Sequence, residues 1–187
     1  FGIIAYTLQF KIARRNIVEI QHIDTHFRAG DRRQQFFIRH QPPISPAYDP
    51  NLQPPYDFDP EQAKSLLADA GWTLDDGVMT KDGQKLEFDF LYSGGEPVVD
   101  QLVTYMKEAW EEIGVKINLT SIGGATLIER LQSGDFDMAL LAVSLSPDGN
   151  QTALFSCDAA NTGLNFSQYC SEEWDQLDAE QRVEFDA

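Results

Sequence analysis

Two cysteines, Cys157 and Cys170, lie thirteen positions apart in the polar stretch SLSPDGNQTALFSCDAANTGLNFSQYC, which begins at Ser144 directly after the apolar run MALLAV. The spacing is not that of a CxxC redox pair, and no paired Cys/His cluster accompanies it. The sulfurs therefore either bond to each other or remain two thiols. A bond would close a loop of about 15 residues, worth on the order of 3 kcal/mol in the chain-entropy account, and would imply an oxidising compartment. Asp148, at the head of the same stretch, is a lone carboxylate with the chemistry to meet a cationic group.

Other reactive groupings are sparse. His22 and His26 have an i, i+4 spacing that would suit a metal on a helix, but no HExxH pattern surrounds them, and with His40 they lie in a basic, irregular segment. Asp135 and Asp137 flank Phe136 and could form an acid/base pair, although residues two apart on a strand more often share a solvated face. Asp75, Asp76 and Asp82 suggest calcium, yet no Glu closes a twelve-residue loop begun at Asp75, so turn chemistry is the better reading. No GxSxG elbow, P-loop or GxGxxG motif occurs. These features point away from an enzyme, and no cofactor or metal is expected.

Charge narrows the partners. Residues 1–40 carry seven basic and three acidic side chains, against seven and twenty-seven in the remainder of a 187-residue chain whose net charge is −16. Such an acidic body has no basic face for phosphates, so nucleic acid is not an expected partner. No apolar run of about 18 residues is present to span a membrane. The sequence opens at Phe1 without a basic n-region and apolar h-region, so any targeting segment is expected to have been removed or to lie outside it.

The elements that must position these residues read clearly from residue 56 onward. Asp59 caps a helix with Pro60 in its first turn, Ala63, Leu66, Leu67 and Ala70 form its apolar face, and Gly71 suits its stop. DDGVMTKDG predicts a tight β-hairpin. LEFDFLY alternates Leu86, Phe88, Phe90 and Tyr92; VKINLTSI alternates Val115, Ile117 and Leu119; MALLAV, residues 138–143, suits a central strand buried on both faces. A helix over 97–113 presents Val99, Leu102, Val103, Met106, Trp110 and Ile113, and a shorter one over 125–132 uses Leu127, Ile128 and Leu131. The pattern is βαβαβ, an α/β class with a parallel or mixed sheet and flanking helices.

In open α/β sheets ligands bind beyond the carboxyl ends of the strands. Those ends run into Ser93-Gly94-Gly95, Gly123-Gly124 and Ser144-Leu145-Ser146-Pro147-Asp148-Gly149. Gly94, Gly124, Ser144, Leu145, Ser146 and Asp148 are accordingly the candidate ligand-binding residues. Small residues there let a ligand approach the backbone. The same turns would also serve as ordinary βα connections.

Several strings carry a resemblance. DFDPEQAKSLLADAGW (57–72), DGVMTKDGQKLEFDFLY (76–92), IGVKINL (113–119), SGDFDMALLAVSLSPD (133–148) and NFSQYCSEEWDQL (165–177), after the proline-rich PPISPAYDP (42–50), resemble the C-terminal half of solute-binding proteins serving ABC importers of the oligopeptide, dipeptide and nickel class. The resemblance covers residues 42 to about 180. It implies one lobe of a two-lobed periplasmic-binding-protein-like fold: residues 42–187 as a partial C-terminal lobe, with 1–41 an atypical N-terminal segment and the N-terminal lobe missing from the chain. It further implies a periplasmic or extracellular location, free or lipid-anchored at the cell surface. The ligand would be a small solute, peptides first, held in an interlobe cleft and handed to a membrane permease.

Two departures qualify the resemblance. FGIIAYTLQFKIARRNIVE is faintly similar to the family's AIAYAIDREAIV helix, and residues 20–41 match nothing in it. Peptide-binding members place an aspartate three residues after a tryptophan at the end of the MALLAV-like strand, where it meets the peptide's α-ammonium group. Here those positions are Val143 and Ser146, with Asp148 two residues later, a shift of about 6 to 7 Å along extended chain. The resemblance also implies a Cys157–Cys170 disulfide, because dipeptide-type members join FSCD to the cysteine of an NYSRWC-like string. A non-transport sensing or interaction module is the alternative function, and a carboxylate-dependent hydrolase a more distant one.

Overall fold

Asp59 stays extended ahead of Pro60, and its Oδ1 accepts the Gln62 N–H at 2.9 Å, so that α1 (Pro60–Asp69) opens with a capped first turn. The structure, a computed structural model, describes residues 4–10, 51, 58–144 and 150–184. Within these, residues 58–140 form one compact unit, and strand β1 (Ile4–Phe10) with residues 141–184 forms another. The histidines, the proline-rich stretch and the segment 11–50 lie outside the described residues.

In the first of these units, α1 gives way at Gly71, whose φ of +88° no β-carbon tolerates well, to a three-stranded antiparallel meander of β2 (Thr73–Asp75), β3 (Val78–Lys81) and β4 (Gln84–Lys85). Its two turns, Asp76-Gly77 and Asp82-Gly83, have positive φ at both central residues, the twist that two-residue hairpins require. Asp76 and Asp82 thus do turn chemistry. The sequence predicts a single hairpin; the second arises because Asp82-Gly83 repeats the turn signal ahead of a strand of only two residues.

The meander is tied to its surroundings through main-chain bonds and the side chain of Lys81. Met79 N–H donates to Gly114 O at 2.8 Å, and Lys81 Nζ donates to Ala70 O at 2.7 Å, satisfying a carbonyl at the open end of α1. Leu86 N–H donates to Met79 O at 2.7 Å while Leu86 O accepts the Lys116 N–H at 2.9 Å.

From there the chain runs β5 (Glu87–Tyr92), α2 (Pro97–Glu112), β6 (Lys116–Ser121), α3 (Gly124–Ser133) and β7 (Met138–Ser144). β5 pairs in parallel with β6, Glu87 opposite Lys116 through Tyr92 opposite Ser121, and with β7, Phe90 opposite Met138 through Tyr92 opposite Leu140. The sheet order is β1-β7-β5-β6. This is the α/β architecture the sequence predicts.

Val99, Val103, Met106 and Trp110 of α2, and Leu127 and Leu131 of α3, are buried with Phe90, Val115 and Ile117. Burial departs from the expected faces at three points. Leu91 is only 1% exposed beside Phe90 at 0%: successive strand residues point to opposite faces, so both faces of β5 are covered there. Leu66 is 61% exposed, since α1 buries only Leu67. Along MALLAV, Met138, Ala139 and Leu140 are buried, but Ala142 is exposed, so the strand is not enclosed over its whole length.

Near the amino terminus, residues 4–10 form a strand, in the segment only faintly similar to the family's helix; Tyr6, Leu8 and Phe10 alternate with Thr7 and Gln9, the period of an extended chain.

Residues 150–184 are built differently. They comprise α4 (Thr152–Phe155), α5 (Ala159–Thr162) and α6 (Glu172–Glu184). Leu154, Ala159 and Phe166 are buried, and the Phe155 and Trp174 rings meet edge to face with centroids 5.9 Å apart. The expected disulfide joins Cys157 to Cys170, with their Cα atoms 4.4 Å apart. Thr152 Oγ1 donates to Asp178 Oδ2 at 2.6 Å, and the Asp175 carboxylate accepts the Cys157 N–H at 3.1 Å, so α6 is bonded to the segment bearing the first cysteine.

Candidate functional site at the carboxyl ends of the strands

Because β5 and β6 are parallel and in register at Tyr92 and Ser121, the turns that follow them emerge side by side. Ile122 N–H donates to Tyr92 O at 3.0 Å, carrying the ladder one residue beyond the strands and fixing where the turns begin. The first turn, Ser93-Gly94-Gly95-Glu96, leads into α2, and the second, Ile122-Gly123, leads into α3. Two candidate ligand residues, Gly94 and Gly124, therefore share one rim.

Their roles on that rim differ. A β-carbon built on Gly94 would collide with Ser121 Oγ and stand 3.2 Å from Asp100 Oδ1. Gly94 is the residue that lets the two turns and the first turn of α2 come together. At Gly124 such a carbon meets, among the described residues, Ser93 Oγ at 3.8 Å, an ordinary contact. Smallness is required at the first position and not at the second.

The rim thus gathers two hydroxyls, Ser93 and Ser121, and one carboxylate, Asp100, which the sequence reading did not single out. Ser121 is the last residue of an alternating strand and Asp100 lies in the first turn of a helix; only the parallel register brings them to Gly94. Chemically the rim offers hydroxyl donors and acceptors, a half-buried carboxylate and close backbone approach.

Ser144 ends β7 in the other unit, and Leu145, Ser146 and Asp148 lie outside the described residues. The structure leaves those four ligand-binding assignments where the sequence put them, as expectations.

The acidic pair weighed as a catalytic dyad is occupied otherwise. Asp135 Oδ2 accepts from Arg130 Nε at 2.9 Å, and Asp137 Oδ2 accepts the Asp89 N–H at 3.0 Å, so each carboxylate serves a separate structural partner. At the opposite end of the sheet from the rim, Lys116 Nζ lies 2.7 Å from Glu87 Oε1, and Asn118 Nδ2 donates to the same oxygen at 2.9 Å. The Lys116 contact first, and the Asn118 bond second, hold the Glu87 carboxyl below its ordinary pKa. Among the described residues no three His, Cys, Asp or Glu side chains are grouped to hold a metal, and no helix is long and apolar enough to cross a membrane.

The chain is similar to known proteins in sequence and in fold. The oligopeptide-binding protein AppA of Bacillus subtilis (strain 168) is 29% identical over 140 residues, covering 72% of this chain and 26% of that protein. The structure of AppA in complex with a nonapeptide superposes with a TM-score of 0.69 at 27% identity, over 76% of this chain and 30% of that one. NikZ from Campylobacter jejuni, in complex with Ni(L-His), gives a TM-score of 0.60 at 25% identity, over 74% of this chain and 28% of its own. The chain spans about a quarter of the length of the curated relatives it matches. Residues 39–163 match the model of the bacterial extracellular solute-binding proteins, family 5 (middle region), and the chain belongs to that family.

Proposed function

We propose that the chain is part of the solute-binding component of an ABC importer, with residues 42–187 forming most of the C-terminal lobe and residues 1–41 an atypical segment ahead of it. The ligand, a peptide in the first instance and another small solute in the second, binds in a cleft completed by an N-terminal lobe of the same protein. It is then delivered to a membrane permease. The protein works outside the cytoplasm, in the periplasm or lipid-anchored at the cell surface, and catalyses no reaction.

The observation that carries this reading is the family match over residues 39–163. It is supported by the parallel register that sets Gly94 and Gly124 on neighbouring turns at the carboxyl end of the sheet. Gly94, Gly124, Ser144, Leu145, Ser146 and Asp148 are the proposed ligand-binding residues. A peptide is placed first because AppA was solved with a nonapeptide, and a metal–amino-acid complex such as that in NikZ falls within the second class.

Native mass spectrometry of the full-length protein as purified, followed by thermal shift against a panel of di- to nonapeptides and Ni(L-His), tests this. A co-purifying ligand, or a stabilisation of several degrees by one panel member, is the expected result. A protein that carries no ligand and is shifted by no solute would not be a transport receptor, and the sensing or interaction module would take its place.

A further inference from the structure

The loop between the two cysteines is closed twice. Asn165, fully buried, lies within it. Its Nδ2 donates to Ser156 O at 3.0 Å and to Tyr169 O at 2.7 Å. Its Oδ1 accepts from Tyr169 N at 3.2 Å and from Ser167 Oγ at 3.0 Å. Ser156 and Tyr169 are the residues that immediately precede Cys157 and Cys170. One carboxamide, using both donors and both lone pairs, therefore bridges the two segments that the sulfurs bridge one residue further on.

We infer that Asn165 closes this loop independently of the disulfide, so that the reduced chain holds its two thiols together and oxidation locks a loop that is already shut. Three features support a closure without sulfur. The Asn165 side chain is buried and its bond to the buried Ser156 carbonyl lies out of water, the other three bonds being part-buried, so losing it leaves a buried carbonyl and a buried amide unpaired, which is costly. Leu164 N–H donates to Ala153 O at 2.8 Å, and a β-carbon on Gly163 would stand 2.8 Å from that same oxygen, so the chain is packed against α4 just before Asn165. Asp175 holds the Cys157 N–H from α6. A loop prepared in this way presents the second thiol to the first at high effective concentration, which favours the correct pair over bonds to other thiols.

Hydrogen exchange of the segment 158–169 in the full-length protein, read by mass spectrometry, tests the inference. Wild type is compared with Asn165→Ala and with the double variant Cys157→Ser/Cys170→Ser, each before and after reduction by dithiothreitol, which turns the S–S bond into two thiols and itself becomes the cyclic disulfide. Reduced wild type and the double serine variant are expected to keep the segment protected, with exchange slower on the order of tenfold or more than in reduced N165A. Oxidised N165A is expected to stay protected, held by sulfur alone.

If reduced wild type exchanges as fast as reduced N165A, the carboxamide closes nothing and the inference fails; it fails equally if reduced N165A remains protected. Should exchange in β5 and β6 show that N165A is unfolded, Asn165→Asp replaces it, because it keeps the acceptor oxygens and removes the two N–H donors. A second readout is equilibrium with glutathione: Cys157 thiolate attacks oxidised glutathione, releasing one glutathione, and Cys170 then displaces the other. Wild type should stay disulfide-bonded in buffers on the order of tenfold more reducing than those that open N165A. Equal midpoints would overturn the proposal.

Discussion

Residues 58–140 and 150–184 belong to one chain, yet they solve the folding problem by different means. The first segment buries side chains such as Phe90, Val103, Trp110, Val115 and Ile117, and holds them under helices of ten and sixteen residues. The second has two four-residue helices and the thirteen-residue α6, whose Leu177 and Val183 are exposed; it buries few apolar side chains, and it holds all three of the polar residues found buried among the described ones: Ser156, Asn165 and Asp178. A short segment whose longest helix buries no apolar side chain removes little apolar surface from water, so directed bonds and a covalent clip take over. One region is stabilised by area and the other by cross-links.

That contrast can be broken most strongly at Phe90. Phe90→Ala leaves a cavity between covered faces and should lower stability by about 3 to 5 kcal/mol, read by chemical denaturation. A loss below about 1 kcal/mol would mean that the parallel sheet is not the dominant core. Next comes the disulfide: its removal by Cys157→Ser/Cys170→Ser should cost on the order of 3 kcal/mol through the unfolded chain, while leaving the 158–169 segment closed. The two measurements, global and local, separate what sulfur does from what Asn165 does.

The rim supplies an intermediate test. Gly94→Ala must displace Ser121 or Asp100 and should cost about 1 to 3 kcal/mol, whereas Gly124→Ala, with open space at the start of α3, should be neutral or stabilising by up to about 1 kcal/mol. Equal effects at the two glycines would remove the distinction drawn between them. Asp59→Ala deletes the cap of α1 and should cost about 1 kcal/mol, confined to that helix in exchange measurements.

The smallest effect is electrostatic. The Glu87 carboxyl has its pKa lowered by Lys116 and Asn118, so its contribution to stability is present above the ordinary Glu pKa and is lost as pH falls through the lowered folded value. Glu87→Gln should flatten the acid limb of the stability profile by lowering stability slightly near neutrality while leaving it unchanged at low pH, where the wild-type carboxyl is already protonated. A mutation that instead altered the alkaline limb would contradict the assignment.

What could be read from the sequence follows the same division. Where burial has a period, as in Val99-Val103-Met106-Trp110 or Val115-Ile117, residue type alone places the element and its face. The cap at Asp59 and the turn at Asp76-Gly77 are local chemistry and read equally well. Leu91 is not legible because period two assigns it to solvent, whereas the fold covers both faces of β5 there. Ser121 and Asp100 were missed because their meeting at Gly94 depends on the register of strands far apart in sequence. Asn165, Asp175 and Asp178 have the look of surface residues; nothing in their types says that each ends in a specific bond. The cysteine pairing was left open by spacing and was settled in expectation only by the resemblance.

Leu86 has a consequence for the order in which the molecule assembles. Its amide N–H closes the antiparallel meander, whose pairs, such as Thr73 with Thr80, are a few residues apart, while its carbonyl begins the parallel sheet, whose pairs, such as Glu87 with Lys116, span α2. Local pairings of the first kind form within about 1 to 10 μs, whereas long-range parallel ones wait on loop closure. The meander is therefore a primer. It forms early, and through one residue it offers a ready acceptor at the point where β6 must arrive, turning the start of a slow, distant pairing into an addition to an existing edge.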